Sequence, residues 1–179
     1  GMTVLSRYGT GLPNLLETVR PVTEEGVDAR RFGMSGDVRL PGDLRDVGCI
    51  DENVRAAIGE GVDPVVAVQM ATINTAEGLR VDQELGSVAP GKVAHLVLVD
   101  DLEAFEVDTV VAKGEVVVEA GELVADVPRP DYPDWTRDTV DLGGAVTPET
   151  FVVEADGDEA TVHTIFIPED AALVSELGE

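Results

Sequence analysis

The chain has 179 residues, 44% of them apolar and only 4% aromatic, with 36 acidic against 12 basic residues and a net charge of -24. This length suits one domain or two small ones, is too short for a complete eight-fold α/β barrel of about 200 residues or more, and carries enough apolar material to exclude wholesale disorder. The charge repels phosphate backbones and excludes nucleic acid as a partner. No apolar run approaches the ~20 residues of a membrane span, so a cytoplasmic protein is expected.

The acids are spread along the chain, and only Lys92 and Lys113 are lysines. That pattern points to a halophilic, acidic surface, on which dense counterions screen the self-repulsion. Cys49 is the single cysteine, so no intrachain disulfide forms and the residue reads as a small buried hydrophobe.

Leu12, Leu15, Leu16 and Val19 recur at helical spacing, with Pro21 closing the helix. Residues 30–35 read as a short strand that delivers Gly36 and Asp37 to its end, before Pro41 and Gly42 turn the chain. Asp51 suits an N-cap for a helix through Gly59. The next helix has Asp63 as cap, Pro64 at its first position, a broad apolar face of Val66, Ala67, Met70, Ala71 and Ile73, and Gly78 as its stop.

The period then changes. Leu96 to Val99 is a continuous apolar run, followed by Val-rich runs at 106–112, 115–119 and 122–125. Lys113-Gly114 and Ala120-Gly121 between them are two-residue hairpin turns, and the whole is a β-meander. Pro128, Pro130 and Pro133 make a strap, in which Trp135 is an anchor or part of a partner surface. Residues 151–154 and 160–167 read as strands around Asp156-Gly157-Asp158, and residues 168–179 as a short helix. The fold class is therefore α+β. It divides into an α/β segment at 3–80, a sandwich-like meander at 85–127, a Pro/Gly strap at 128–144 and the start of a further domain at 145–179.

Gly86, Val88, Pro90-Gly91, Ala94 and Leu96 to Asp100 resemble the segment in which amidohydrolases leave their barrel for a small β-sandwich, and the helix from Asp63 to Glu77 resembles the one before it. Arg39, Pro41, Asp43-Leu44, Gly48, Ile50-Asp51 and Val54-Arg55 are similar to the microbial adenine deaminases. So are Arg7-Tyr8-Gly9-Thr10 and, after the meander, Tyr132-Pro133-Asp134-Trp135. The resemblance covers roughly residues 3 to 165. It implies a late barrel portion and sandwich of a metal-dependent hydrolase of purine metabolism, which converts adenine to hypoxanthine and ammonia with iron or manganese.

By that resemblance Asp37 matches the aspartate at the end of the last barrel strand, which binds metal and takes the proton of the attacking water, and Arg39 a binding position. The family pattern Thr-Asp-Asp-Arg-His-Pro stands here as Gly36-Asp37-Val38-Arg39-Leu40-Pro41. The chain has only two histidines, His95 and His163, neither in ligand spacing. A catalytic transition metal needs about three protein ligands. The expectation is a chain inactive alone and without a cofactor of its own, acting as a scaffold or binding module, or as one subunit of a split deaminase in which a companion amidohydrolase chain supplies histidines and Asp37 completes the metal site. Uncovered strand edges and helix faces point to that companion or to a homo-oligomer.

Overall fold

The computed structural model describes residues 2–10, 13–137, 139–157, 159–166 and 176–178. They fall into two compact units that divide after Ala125. The first holds β1 (Val4–Arg7), α1 (Leu15–Glu24), β2 (Phe32–Ser35), α2 (Pro41–Asp46), α3 (Ile50–Gly59), α4 (Pro64–Gln69), a π-helical turn (Met70–Asn74), α5 (Thr75–Leu79) and strands β3 (Leu96–Asp101), β4 (Glu106–Ala112), β5 (Glu115–Glu119) and β6 (Glu122–Leu123). β1 and β2 pair in parallel, and β3 to β6 form an antiparallel meander in sequence order. The fold is mixed α and β, with no closed barrel among the described residues.

Apolar spacing explains the helices. Leu15 and Val19 on α1, Val54 and Ala57 on α3, and Ala67 and Met70 on the long helix converge with Met34 of β2 and Val62 into one core, which Phe105 joins from the β3–β4 connection. Asp63 caps the long helix by accepting the Val65 and Val66 amides, as its position before Pro64 predicts. The π-turn then inserts a residue, and Met70 and Asn74 both face inward.

Several expectations are corrected. Leu12 lies outside the described residues, and the first helix runs through Pro21 to Glu24. The proline removes one helical bond, but Leu15 and Val19 anchor the preceding turns, and the Pro21 carbonyl still accepts the Glu25 and Val27 amides. At α3 the cap position belongs to Cys49. Asp51 lies inside the first turn and reaches back to accept the Cys49 amide at 2.7 Å. The long helix stops at Arg80, in the left-handed conformation, and not at Gly78. Gly78 serves packing instead, because a Cβ there would lie 3.0 Å from the Thr3 side chain. The two hairpin turns form as their sequences predict, with φ of +53° and +89° at Lys113-Gly114 and +51° and +75° at Ala120-Gly121.

The second unit has 3-10 turns at Asp134–Thr136 and Pro148–Phe151 and an antiparallel pair of β7 (Thr164–Phe166) with β8 (Glu176–Gly178). Residues 152–154 form no strand, because apolar character without a pairing partner does not make one. Of the expected C-terminal helix, 176–178 are β8 and 168–175 and 179 lie outside the described residues. Trp135 is 77% exposed and anchors nothing by packing within the described residues.

Candidate active site at the strand ends

The carboxyl ends of β1 and β2 lie side by side, since Arg7 is in register with Ser35. In parallel α/β architectures this is the end that carries chemistry. β2 passes through Gly36 into Asp37, whose φ of +48° is one aspartate tolerates better than most side chains. The Asp37 amide donates to Ser35 Oγ at 3.2 Å. Its carboxylate accepts Arg7 Nη1 at 3.1 Å, with the two side chains 33% and 39% exposed. Asp37 thus sits at the strand end as expected, its partner a guanidinium from the neighbouring strand. An exposed pair of this kind is worth under about 1 kcal/mol.

Arg39 turns inward. Its Nη2 donates to the Tyr8 carbonyl at 2.5 Å, to Asn53 Oδ1 at 3.2 Å and to the Cys49 carbonyl at 3.5 Å, and its guanidinium lies 5.8 Å from the Tyr8 ring centroid. Asn53, fully buried on α3, donates through Nδ2 to the Ser35 carbonyl at 2.9 Å. Thr10 donates to the Asp43 carboxylate and accepts the Leu40 amide at 3.1 Å. Gly9 permits the crossing, since a Cβ there would meet the Val38 carbonyl oxygen at 2.7 Å. Arg39, Asn53 and Thr10 therefore tie the β1 loop, the β2 loop and the start of α3 together around Asp37.

Burial raises the Asp51 carboxyl, but the Cys49 amide and the Arg55 guanidinium outweigh it and hold the group below the usual carboxylate range. Arg55 also pairs with Glu52, so this acidic pair is a local ion-pair network rather than a general acid/base couple.

The residues present do not fit a transition metal. Among the described residues no three His, Cys, Asp or Glu side chains converge on a common point. His95 is exposed on the meander, where its Nδ1 accepts the Lys113 amide at 3.3 Å, and His163 belongs to the second unit. His95 is not brought into a ligand cluster with Asp37. A separate cleft of about 1270 Å³ runs from the α2–α3 loop past the long helix to the meander. Its walls include Val68, Leu79, Leu85, Val99, Phe105 and Val110, and neither Asp37 nor Arg39 lines it.

Sequence reasoning missed Asn53, Thr10 and Tyr8 as partners in this network. Their only signal is the Arg7-Tyr8-Gly9-Thr10 string and a polar residue beside the apolar stripe of α3.

The profile of the Amidohydrolase family matches residues 16–117, more than half of the chain. The chain belongs to this family. The amidohydrolases are generally metal-dependent, and this member is 40% identical to an adenine deaminase of Paracoccus denitrificans over 172 residues. That match covers 96% of this chain and 29% of the relative. An adenine deaminase of Rubrobacter xylanophilus is 41% identical over 173 residues, 95% of this chain and 28% of its own length. The chain thus spans less than a third of the length of the curated relatives it matches. A solved β-aspartyl dipeptidase from Fervidobacterium islandicum AW-1 is alike in fold, with a TM-score of 0.53 at 20% identity over 71% of this chain and 36% of that one. Among the described residues, this amidohydrolase shows no cluster of three or more metal-ligating side chains.

Proposed function

We propose that this amidohydrolase carries the late-barrel and sandwich portion of an adenine deaminase site, and that Asp37 is its contribution to the reaction. What supports this is the carboxylate itself, held in a left-handed turn at the end of β2 and braced from β1 and α3. In the reading, β1 and β2 are remnants of barrel strands, Asp37 accepts a proton from the attacking water, and Arg39 is a brace that fixes the loop carrying it. Iron or manganese would be held mainly by histidines from a companion amidohydrolase chain, so the chain alone has no deaminase activity.

Ammonia release from adenine tests the reading. The chain alone is expected to give none above background. Joined to a complementing amidohydrolase chain it is expected to give activity that Asp37→Asn lowers at least about 100-fold, the scale of a lost general base. Clear turnover by the isolated chain sinks the claim that it is incomplete, and a complemented enzyme indifferent to Asp37→Asn sinks the role of that residue.

A second reading, a non-enzymatic docking module, is favoured by the apolar cleft. Its walls suit another polypeptide's apolar surface better than a purine, which needs several convergent polar groups.

A further inference from the structure

Asp51, the second residue of α3, holds a piece of chain on which the strand-end site rests. Its Oδ1 accepts the Cys49 amide at 2.7 Å, and its Oδ2 accepts Arg55 Nη2 at 2.6 Å. The same Nη2 donates to the Val47 carbonyl at 3.1 Å, so the ion pair grips the chain on both sides of Gly48. Gly48 takes φ of +127°, and a Cβ there would collide with the Asp51 carboxylate. The glycine is thus required twice, for the angle and for the room it leaves. Beyond the clamp, Cys49 meets the β2 loop. A Cβ on Gly36 would lie 2.7 Å from Cys49 Sγ, so the thiol packs on the backbone one residue before Asp37. The Cys49 carbonyl accepts the amide of Asn53, the residue that joins Arg39 to the Ser35 carbonyl, at 3.2 Å.

We propose that Asp51 is a positioning residue for Asp37: clamped by Arg55, it sets Cys49 against Gly36 and so fixes the turn that presents the Asp37 carboxylate. The inference rests on the reading of Asp37 as the proton acceptor. The Arg7–Asp37 pair is too exposed to hold that carboxylate firmly, so its placement comes from the backbone that carries it. Gly36 is the weak point of that backbone, because glycine has the widest choice of conformations. Cys49 is what packs on it, and Asp51 is what keeps Cys49 there.

Cys49 is the single cysteine, so its alkylation by iodoacetamide reports this contact on the full chain without any catalysis. Asp51→Ala removes the acceptor of the Cys49 amide and is expected to speed alkylation at least about fivefold. Asp51→Asn removes the charge but keeps an acceptor oxygen, and is expected to stay within about twofold of the parent. Equal acceleration in both variants would be charge acting on the thiol and overturns the clamp, as does acceleration in neither. Should Asp51→Ala fold poorly, Arg55→Met frees the carboxylate while keeping much of the apolar stem. It is expected to speed alkylation too, and an unchanged rate there overturns the clamp. In the complemented enzyme, Asp51→Ala is expected to lower ammonia release from adenine about tenfold, with Asp51→Asn restoring most of it. On top of Asp37→Asn it is expected to have no further effect, because it acts through that carboxylate. Losses that simply add overturn the positioning role. A complemented enzyme indifferent to Asp37→Asn sinks instead the reading beneath this one, and the alkylation result then still decides the clamp.

Discussion

Asp37 is prominent in the sequence because the resemblance to the amidohydrolases matches it to the aspartate at the end of their last barrel strand, whereas its local pattern alone reads equally as a turn aspartate before Pro41. Its supports are not prominent, because each is a contact between distant segments. Asn53 illustrates this. On paper it is a polar residue beside an apolar helix stripe, yet in the fold it joins the Arg39 guanidinium to the Ser35 carbonyl with no exposure to solvent. Asn53→Ala removes one hydrogen bond each from the Arg39 guanidinium and the Ser35 carbonyl, which keep the Tyr8 carbonyl and the Tyr8 amide as partners, and opens a small void, and is expected to cost about 1–3 kcal/mol in urea unfolding. A cost within about 0.5 kcal/mol would mean that the brace carries little. Asp51 gives a pH test. Its folded pKa lies below the ordinary 3.8, so its contribution is complete above that value and is lost as pH falls through the folded pKa. Asp51→Asn is expected to be less stable than the parent by about 0.5 kcal/mol at neutral pH, allowing for the exposure of the Arg55 pair. That gap should narrow below about pH 4, where the ordinary carboxyl begins to protonate. A gap that widens in acid would refute the assignment.

Local chemistry made some elements readable. Asp63-Pro64 opens a helix because the cap and the fixed proline φ act within three residues. The two X-Gly pairs close hairpins because the turn itself demands positive φ. Boundaries decided by packing were not readable, such as the continuation past Pro21 and the π-turn that sets Met70 and Asn74 inward. The runs at 151–154 and 160–163 have strand composition without a pairing partner, which no single-chain pattern reveals. The readable turns carry a prediction. Ala120 holds φ of +51°, a conformation that costs a side-chain-bearing residue about 1 kcal/mol. Ala120→Gly is expected to stabilise the chain by about 0.5–1 kcal/mol in thermal or urea unfolding, because relief of that strain exceeds the added freedom of the unfolded chain. A loss of stability would show that the β5–β6 turn is not the type its angles indicate.

At the scale of the whole molecule, the 36 acids and 12 bases are far from balanced, and among the described residues Arg7, Arg30, Arg45 and Arg55 are already engaged with carboxylates. Most of the remaining negative charge therefore faces other negative charge. Folding draws it together, so the native state carries a repulsion that the extended chain largely escapes. Monovalent salt shortens the screening length from about 10 Å at 0.1 M to about 3 Å at 1 M, which removes most interactions between non-adjacent surface charges. The melting temperature is therefore expected to rise by about 5 °C or more between 0.1 and 2 M KCl, followed by circular dichroism. Strengthened apolar burial at high salt would also raise it, and the two causes separate by pH. Near pH 4 many of the carboxylates are protonated, so a repulsive origin predicts a much smaller salt effect there, whereas an apolar origin predicts the same effect at both pH values. A melting temperature flat in salt at neutral pH would mean that the acids are spaced widely enough not to oppose folding.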